Sequence, residues 1–242
     1  STINSADGSD TVTYKNASNS VTVNLANQTA TGDGADTLHS IENAIGSAYD
    51  DTFISDFSAS NRFDGNEGSE TSGDSISYEA IVVTDPTLDK VVVNLSTEVG
   101  EVNTTDGYFE AVVTYDNGTK TFTDYLVNIE NVTGSDGNDT ITGANDDNKI
   151  YGLEGDDLLS GGLGDDTLDG GLGSDTASYS EKSLAVTVDF KNNIATTTSG
   201  ETDTLVSIEN AIGGSGKDTF IMNEDSKANT IDGGVGSEED TI

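Results

Sequence analysis

Two spacings of apolar residues run along this chain. Strict alternation marks short strands at VTVNL from Val21, VVVNL from Val91 and VTVDF from Val186. A longer spacing sets one apolar residue in every nine across 134–178: Ile141, Ile150, Leu159, Leu168 and Ala177. Each stands between mostly polar neighbours, as in a very short, half-buried strand. Glycine and threonine are too frequent for a convincing helix, and the dominant periods are two and nine, so the pattern predicts an all-β protein. One such strand cannot bury itself. Stacked copies can, and their apolar residues then form a continuous file.

The stretch 134–178 divides into five blocks of nine: GSDGNDTIT, GANDDNKIY, GLEGDDLLS, GGLGDDTLD and GGLGSDTAS. Glycine opens every block, and Asp139, Asn148, Asp157, Asp166 and Asp175 hold the sixth place. Glycine at places one, two and four gives access to backbone angles closed to other residues, so the first six residues are expected to turn tightly. Stacking brings the sixth-place carboxylates of alternate blocks together, where they repel. A hard cation with oxygen ligands resolves the repulsion, and calcium accepts six to eight oxygens in loose geometry.

Composition sharpens that expectation. The chain has 242 residues, 32% apolar, with 28 glycines and a formal charge of −36. High charge with low hydrophobicity favours disorder, and glycine adds to the entropy cost of folding. Repeat and composition agree if bound metal neutralises the acid and its binding contributes to folding. The same charge argues against nucleic acid and anionic lipid as partners. Cysteine is absent, which excludes disulfides and thiolate metal sites, and no apolar run approaches a membrane span.

The blocks resemble the G-G-x-G-x-D-x-U-x nonapeptide of RTX proteins, a calcium-binding parallel β-helix motif. The resemblance implies a right-handed parallel β-roll or β-helix solenoid with two blocks per coil and an ion between turns two blocks apart. Asp139 would then pair with Asp157, Asn148 with Asp166, and Asp157 with Asp175. Backbone oxygens of Gly137, Gly155, Gly162, Gly164, Gly171 and Gly173 would add ligands. Asp51, Asp74, Asp218 and Asn229 hold corresponding places outside the regular array. The second block departs from the motif, with Asp146 for glycine and Asn148 for aspartate, so its site is expected to be weaker. The family further implies several Ca2+ ions, a secreted or cell-surface location, and export by type I secretion. It points to a structural segment of an adhesin, biofilm-matrix or surface-layer protein, with neighbouring repeats or a matrix polysaccharide as partners. The alternative is a non-catalytic folding or substrate-binding module beside an extracellular protease, lipase or polysaccharide-modifying enzyme.

A larger repeat encloses the small one. GSDTVTY, GDSISY and GSDTASY each lead to a tyrosine, Tyr14, Tyr78 or Tyr179. An alternating strand follows, and then SIENAIG, NIENVTG or SIENAIG. This grammar predicts one continuous solenoid of three units, 1–72, 73–172 and a truncated 173–242, cut from a longer chain. The second unit carries an addition near 84–125 in which EAVVTYDNGTKTFTDY reads as an antiparallel β-hairpin turning at Asp116-Asn117-Gly118. A protruding flap or a widened coil is expected there.

Enzymatic readings are weak. Gly73-Asp74-Ser75 and Asp36-Thr37-Leu38-His39 resemble elements of GDSL-type esterases. The second recurs as Asp203-Thr204-Leu205-Val206, with valine where a general base would stand, and the order is reversed. His39 is the only histidine, which rules out multi-histidine zinc sites, and no EF-hand loop fits. The carboxylates are expected to be calcium ligands and solvated turns, and the segment not to be an enzyme.

Overall fold

The computed structural model describes the chain apart from residues 57–59, 67, 82, 84–89, 96–110, 117–120, 224–228 and 237–238; residues 111–116 and 121–122 are described as backbone. Among the described residues all regular structure is β.

Most strands are three residues long with the middle one buried, because alternation along the strand turns the middle side chain inward and its two neighbours outward. The chain passes alternately between two sheets, of thirteen and eleven strands. In the regular array every pairing is parallel and offset by one coil. One sheet stacks Val132 on Ile150 and Ile150 on Leu168. The other stacks Ile141 on Leu159 and Leu159 on Ala177. These side chains are at most 1% exposed, so the eighth-place residues form two facing apolar files. The files continue into the first unit through Phe53 and Phe63, whose rings lie 5.5 Å apart. The result is a two-sheet β-solenoid whose corners, not strands, carry the acid.

The antiparallel strands differ from expectation in place and number. Lys90–Asn94, Ala111–Asp116 and Thr121–Val127 pair antiparallel in that order, but within the eleven-stranded sheet, between Arg62–Asp64 and Thr140–Thr142. The expected turn at Asn117-Gly118 lies outside the described residues. The first unit has the same antiparallel triplet at Thr22–Asn24, Thr29–Thr31 and Ala35–His39, and the third at Val186–Asp189, Ile194–Thr197 and Thr202–Val206. The meander therefore belongs to all three units and is not peculiar to the second. Its return strands in the first and third units, TAT and IATT, bury only Ala30 and Ala195, too faint an apolar signal to read as strands.

Each meander is tied to the tyrosine that precedes it. Tyr14 donates to Asp36 at 3.1 Å, and Asp124 and Asp203 lie beside the buried Tyr78 and Tyr179 rings. Asp36-Thr37-Leu38-His39 is thus the last strand of a meander, its aspartate a tyrosine acceptor, and His39 lies exposed at the strand end.

Candidate metal centre

Each coil edge carries a column of acidic or amide side chains immediately before a strand. In these columns one side-chain oxygen accepts the backbone N–H of the equivalent residue one coil earlier. Asp157 Oδ1 accepts from Asp139 N–H at 2.8 Å, Asp166 Oδ1 from Asn148 N–H at 2.8 Å, and Asp175 Oδ1 from Asp157 N–H at 2.9 Å. The column extends beyond the array. Asp74 receives Asp51 N–H, Asp203 receives Asp166 N–H, and Asp240 receives Asp218 N–H. Asn229 is half-buried, one residue before Thr230, whose N–H binds Asn210 Oδ1.

The second oxygen divides the corners into two kinds. In four blocks the N–H at place two turns inward and binds the sixth-place side chain. Ser47 donates to Asp51, Ser135 to Asp139 Oδ2 at 2.5 Å, Ala144 to Asn148 Oδ1 at 2.7 Å and Gly214 to Asp218 Oδ2 at 2.7 Å. The Ser47 and Ser135 hydroxyls also bind Asp51 and Asp139, each at 2.9 Å. These corners are closed. In five other blocks place two has positive φ: Gly234 at 85°, whose Asp240 is exposed, and four with a buried aspartate, Asn66 at 66°, Leu153 at 87°, Gly162 at 95° and Gly171 at 92°. There the second oxygens, Oδ2 of Asp74, Asp157, Asp166 and Asp175, are buried with no hydrogen-bond donor. These corners are open.

Burial raises the affinity of the open carboxylates for a proton, and neighbouring acids add to it. Asp157 is pushed up to about 8, with Asp139 and Asp175 contributing, and Asp166 to about 7. Asp175 rises to about 6 and Asp74 to about 8, the latter with help from Glu70, Asp51 and Glu130. An orphaned buried oxygen costs free energy that an ion or a proton recovers.

Backbone oxygens face the same gaps. A Cβ on Gly171 would collide with Leu153 O, one on Gly173 with Gly155 O, one on Gly162 with Ala144 O, and one on Gly155 with Gly137 O. From the other side, a Cβ on Gly152 would strike both Gly170 O and Asp157 Oδ2. First-place glycines therefore serve close approach. The array's positive φ falls at places two and four, against the expectation that place one needs it too. Gly137, in a closed block, has no positive φ, whereas Gly155, Gly164 and Gly173 all do. Oxygen-only surroundings with a net negative charge suit a hard cation of the calcium type.

The sequence comparison decides what these corners are. Residues 128–159 and 142–177 match the family of the RTX calcium-binding nonapeptide repeat (4 copies). The array is an RTX calcium-binding repeat. No curated protein matches the chain. The RTX match covers only the regular array and the strand before it, and indicates a calcium-binding structural repeat there. No helix among the described residues is long and apolar enough to cross a membrane.

Several column members carried no nonapeptide signal. Glu42, Glu130 and Glu209, the acids of the three I-E-N triplets, accept the N–H of Asp10, Asp74 and Asp175 at 2.9, 2.7 and 3.1 Å. The asparagine that follows each one bonds both adjacent coils, Asn131 for example receiving Lys149 N–H and donating to Ser72 O. The threefold recurrence of I-E-N was the available clue.

Proposed function

We propose that the segment is a calcium-dependent structural scaffold of a secreted or cell-surface RTX protein, of adhesin, biofilm-matrix or surface-layer type, without catalysis of its own. The observation that carries this reading is the row of buried, donor-less oxygens on Asp157, Asp166 and Asp175, placed where backbone oxygens of stacked turns meet. Calcium held there supplies the positive charge that the corners lack. Asp157, Asp166 and Asp175 would be its side-chain ligands, with backbone oxygens of Leu153, Gly155, Gly162, Gly164, Gly171 and Gly173 around it. The closed corners at Asp51, Asp139, Asn148 and Asp218 join a site through their neighbours or hold the turn without metal. Coiling is right-handed in this reading, as parallel crossover connections almost always are.

At low calcium the charge of −36 opposes compaction and the exported chain stays unfolded. Extracellular-type sites fill at roughly 10⁻⁴ to 10⁻³ M, so folding would follow arrival outside the cell. Further repeats of the same chain, or an acidic matrix polysaccharide bridged by calcium, are the fitting neighbours. Calcium titration by calorimetry tests the reading. The double variant Asp157→Asn/Asp175→Asn should bind fewer ions than the parent chain, and an unchanged ion count would overturn the assignment.

A further inference from the structure

We infer a cation site outside the nonapeptide array, formed by Glu70, Asp74 and Glu130 with the Asn128 carbonyl and taking a hard divalent ion of the calcium class. It extends the calcium reading and shares with it only the nature of the ion.

The block that begins at Gly65 reaches its sixth-place equivalent, Asp74, after a four-residue insertion, GNEGSETSGD. That insertion carries Glu70 back to the corner. One oxygen from each of Glu70, Asp74 and Glu130 lies within 4.8 Å of the others. An acidic cluster alone would say little, because such clusters are common on a chain this negative. Asp74, however, is 0% exposed, and its Oδ2 has no hydrogen-bond donor. The cause is local. Asn66, at place two, has φ 66°, so this corner belongs to the open kind.

Neighbouring groups are held in place. Glu130 Oε2 accepts Asp74 N–H at 2.7 Å, and Glu130 N–H donates to Asp74 O at 3.1 Å. A Cβ on Gly65 would collide with both Asp74 Oδ2 and Asn128 O, so these two oxygens border the same glycine. Asn128 holds φ 52°, the left-handed angle shared by Ser40 and Ser207 ahead of the other I-E-N triplets. A groove lined by Glu70, Glu130, Asp146, Asp147, Asn148 and Lys149 gives solvent access.

This site offers three side-chain carboxylates where an array corner relies chiefly on backbone oxygens. Higher ligand charge tightens calcium binding. An ion here would link the insertion of the first unit to the strand that follows the second meander, at a junction where the nonapeptide spacing is lost.

The test is calcium calorimetry on the whole chain, comparing the parent with Glu70→Gln, Glu130→Gln and, as an array control, Asp157→Asn. Glu70→Gln is the key variant because Glu70 sits at the half-buried rim, away from the apolar files. The expected result is loss of one ion per chain, or weakening of the tightest binding by about tenfold or more, in Glu70→Gln and Glu130→Gln. Asp157→Asn should leave that tightest binding intact and weaken another. If both glutamine variants bind calcium like the parent, the site does not exist, whatever Asp157→Asn does. If only Asp157→Asn is silent, the array assignment fails and this site stands.

Discussion

The corners at 134–139 and 152–157 share a spacing, a sixth-place aspartate and a position in one stacked column, yet they differ in kind. In the first, Ser135 turns its N–H and hydroxyl onto Asp139, and the carboxylate is satisfied from within its own block. In the second, Leu153 takes φ 87°, and Asp157 Oδ2 is left buried with no donor. One backbone angle therefore decides whether a carboxylate closes its own turn or waits for a cation. The same rule sorts Asp51, Asn148 and Asp218 with Asp139, and Asp74, Asp166 and Asp175 with Asp157. Calcium dependence should concentrate in the open group, while closed corners contribute structure with or without metal.

The largest effect that sharpens this contrast comes from the carboxylates themselves. Asp157→Asn/Asp175→Asn should raise the calcium midpoint of folding by about tenfold or more, equivalent to about 1.4 kcal/mol. The same change should not weaken, and by removing buried charge should help, the metal-free chain. Asp51→Asn/Asp218→Asn should lower stability and, through the coupled folding, raise the calcium midpoint less than the first pair does, with the number of bound ions unchanged. Equal midpoint shifts in the two pairs, read by fluorescence or circular dichroism, would break the division.

Next in size, Ser135→Ala removes the one hydroxyl proton shared between the two Asp139 oxygens and should cost about 1–3 kcal/mol in denaturant titration of the calcium-loaded chain. A loss of bound calcium in Ser135→Ala, instead of a loss of stability alone, would move Asp139 to the open group.

Proton linkage gives the third effect. The open carboxylates ionise near 3.8 when unfolded, but near 8 at Asp157 and Asp74, 7 at Asp166 and 6 at Asp175 in the fold. The folded, metal-free chain thus holds more protons, so its stability is greatest below the unfolded value and falls as pH rises through 6 to 8. Calcium must displace those protons, so the calcium midpoint should rise as pH drops from 8 to 6. A pH-independent midpoint would contradict the burial of these oxygens.

Smallest is Leu153→Gly. Place two there has positive φ, which costs a non-glycine residue roughly 1–2 kcal/mol; glycine relieves that strain but loses more chain entropy on folding, so the net stabilisation should be under about 1 kcal/mol. Destabilisation would mean that Leu153 is held by packing that outweighs the strain.

Much of this was legible in the sequence. The period of nine fixed the strands, because an apolar residue recurring at Ile141, Ile150 and Leu159 can be buried only by stacking, and the offset of two blocks was what the RTX resemblance implied. Two features were hidden. The meanders of the first and third units escaped notice because Ala30 and Ala195 carry their only buried apolar side chains on the return strands. The division into open and closed corners escaped because place two does not announce its angle. Gly214 closes its corner despite being glycine, and Leu153 opens one despite being leucine. The acids of the I-E-N triplets were visible as a repeat, but only the stacked coils show that Glu130 occupies the same column as Asp74.

The most direct test of the account is far-ultraviolet circular dichroism of the chain, first in chelator and then through rising calcium. The account predicts a largely unfolded spectrum in chelator at neutral pH that becomes β-rich cooperatively as calcium approaches roughly 10⁻³ M. A fully β spectrum in chelator, unchanged by calcium, would show that the open corners need no ion and that the acidic solenoid folds by packing alone.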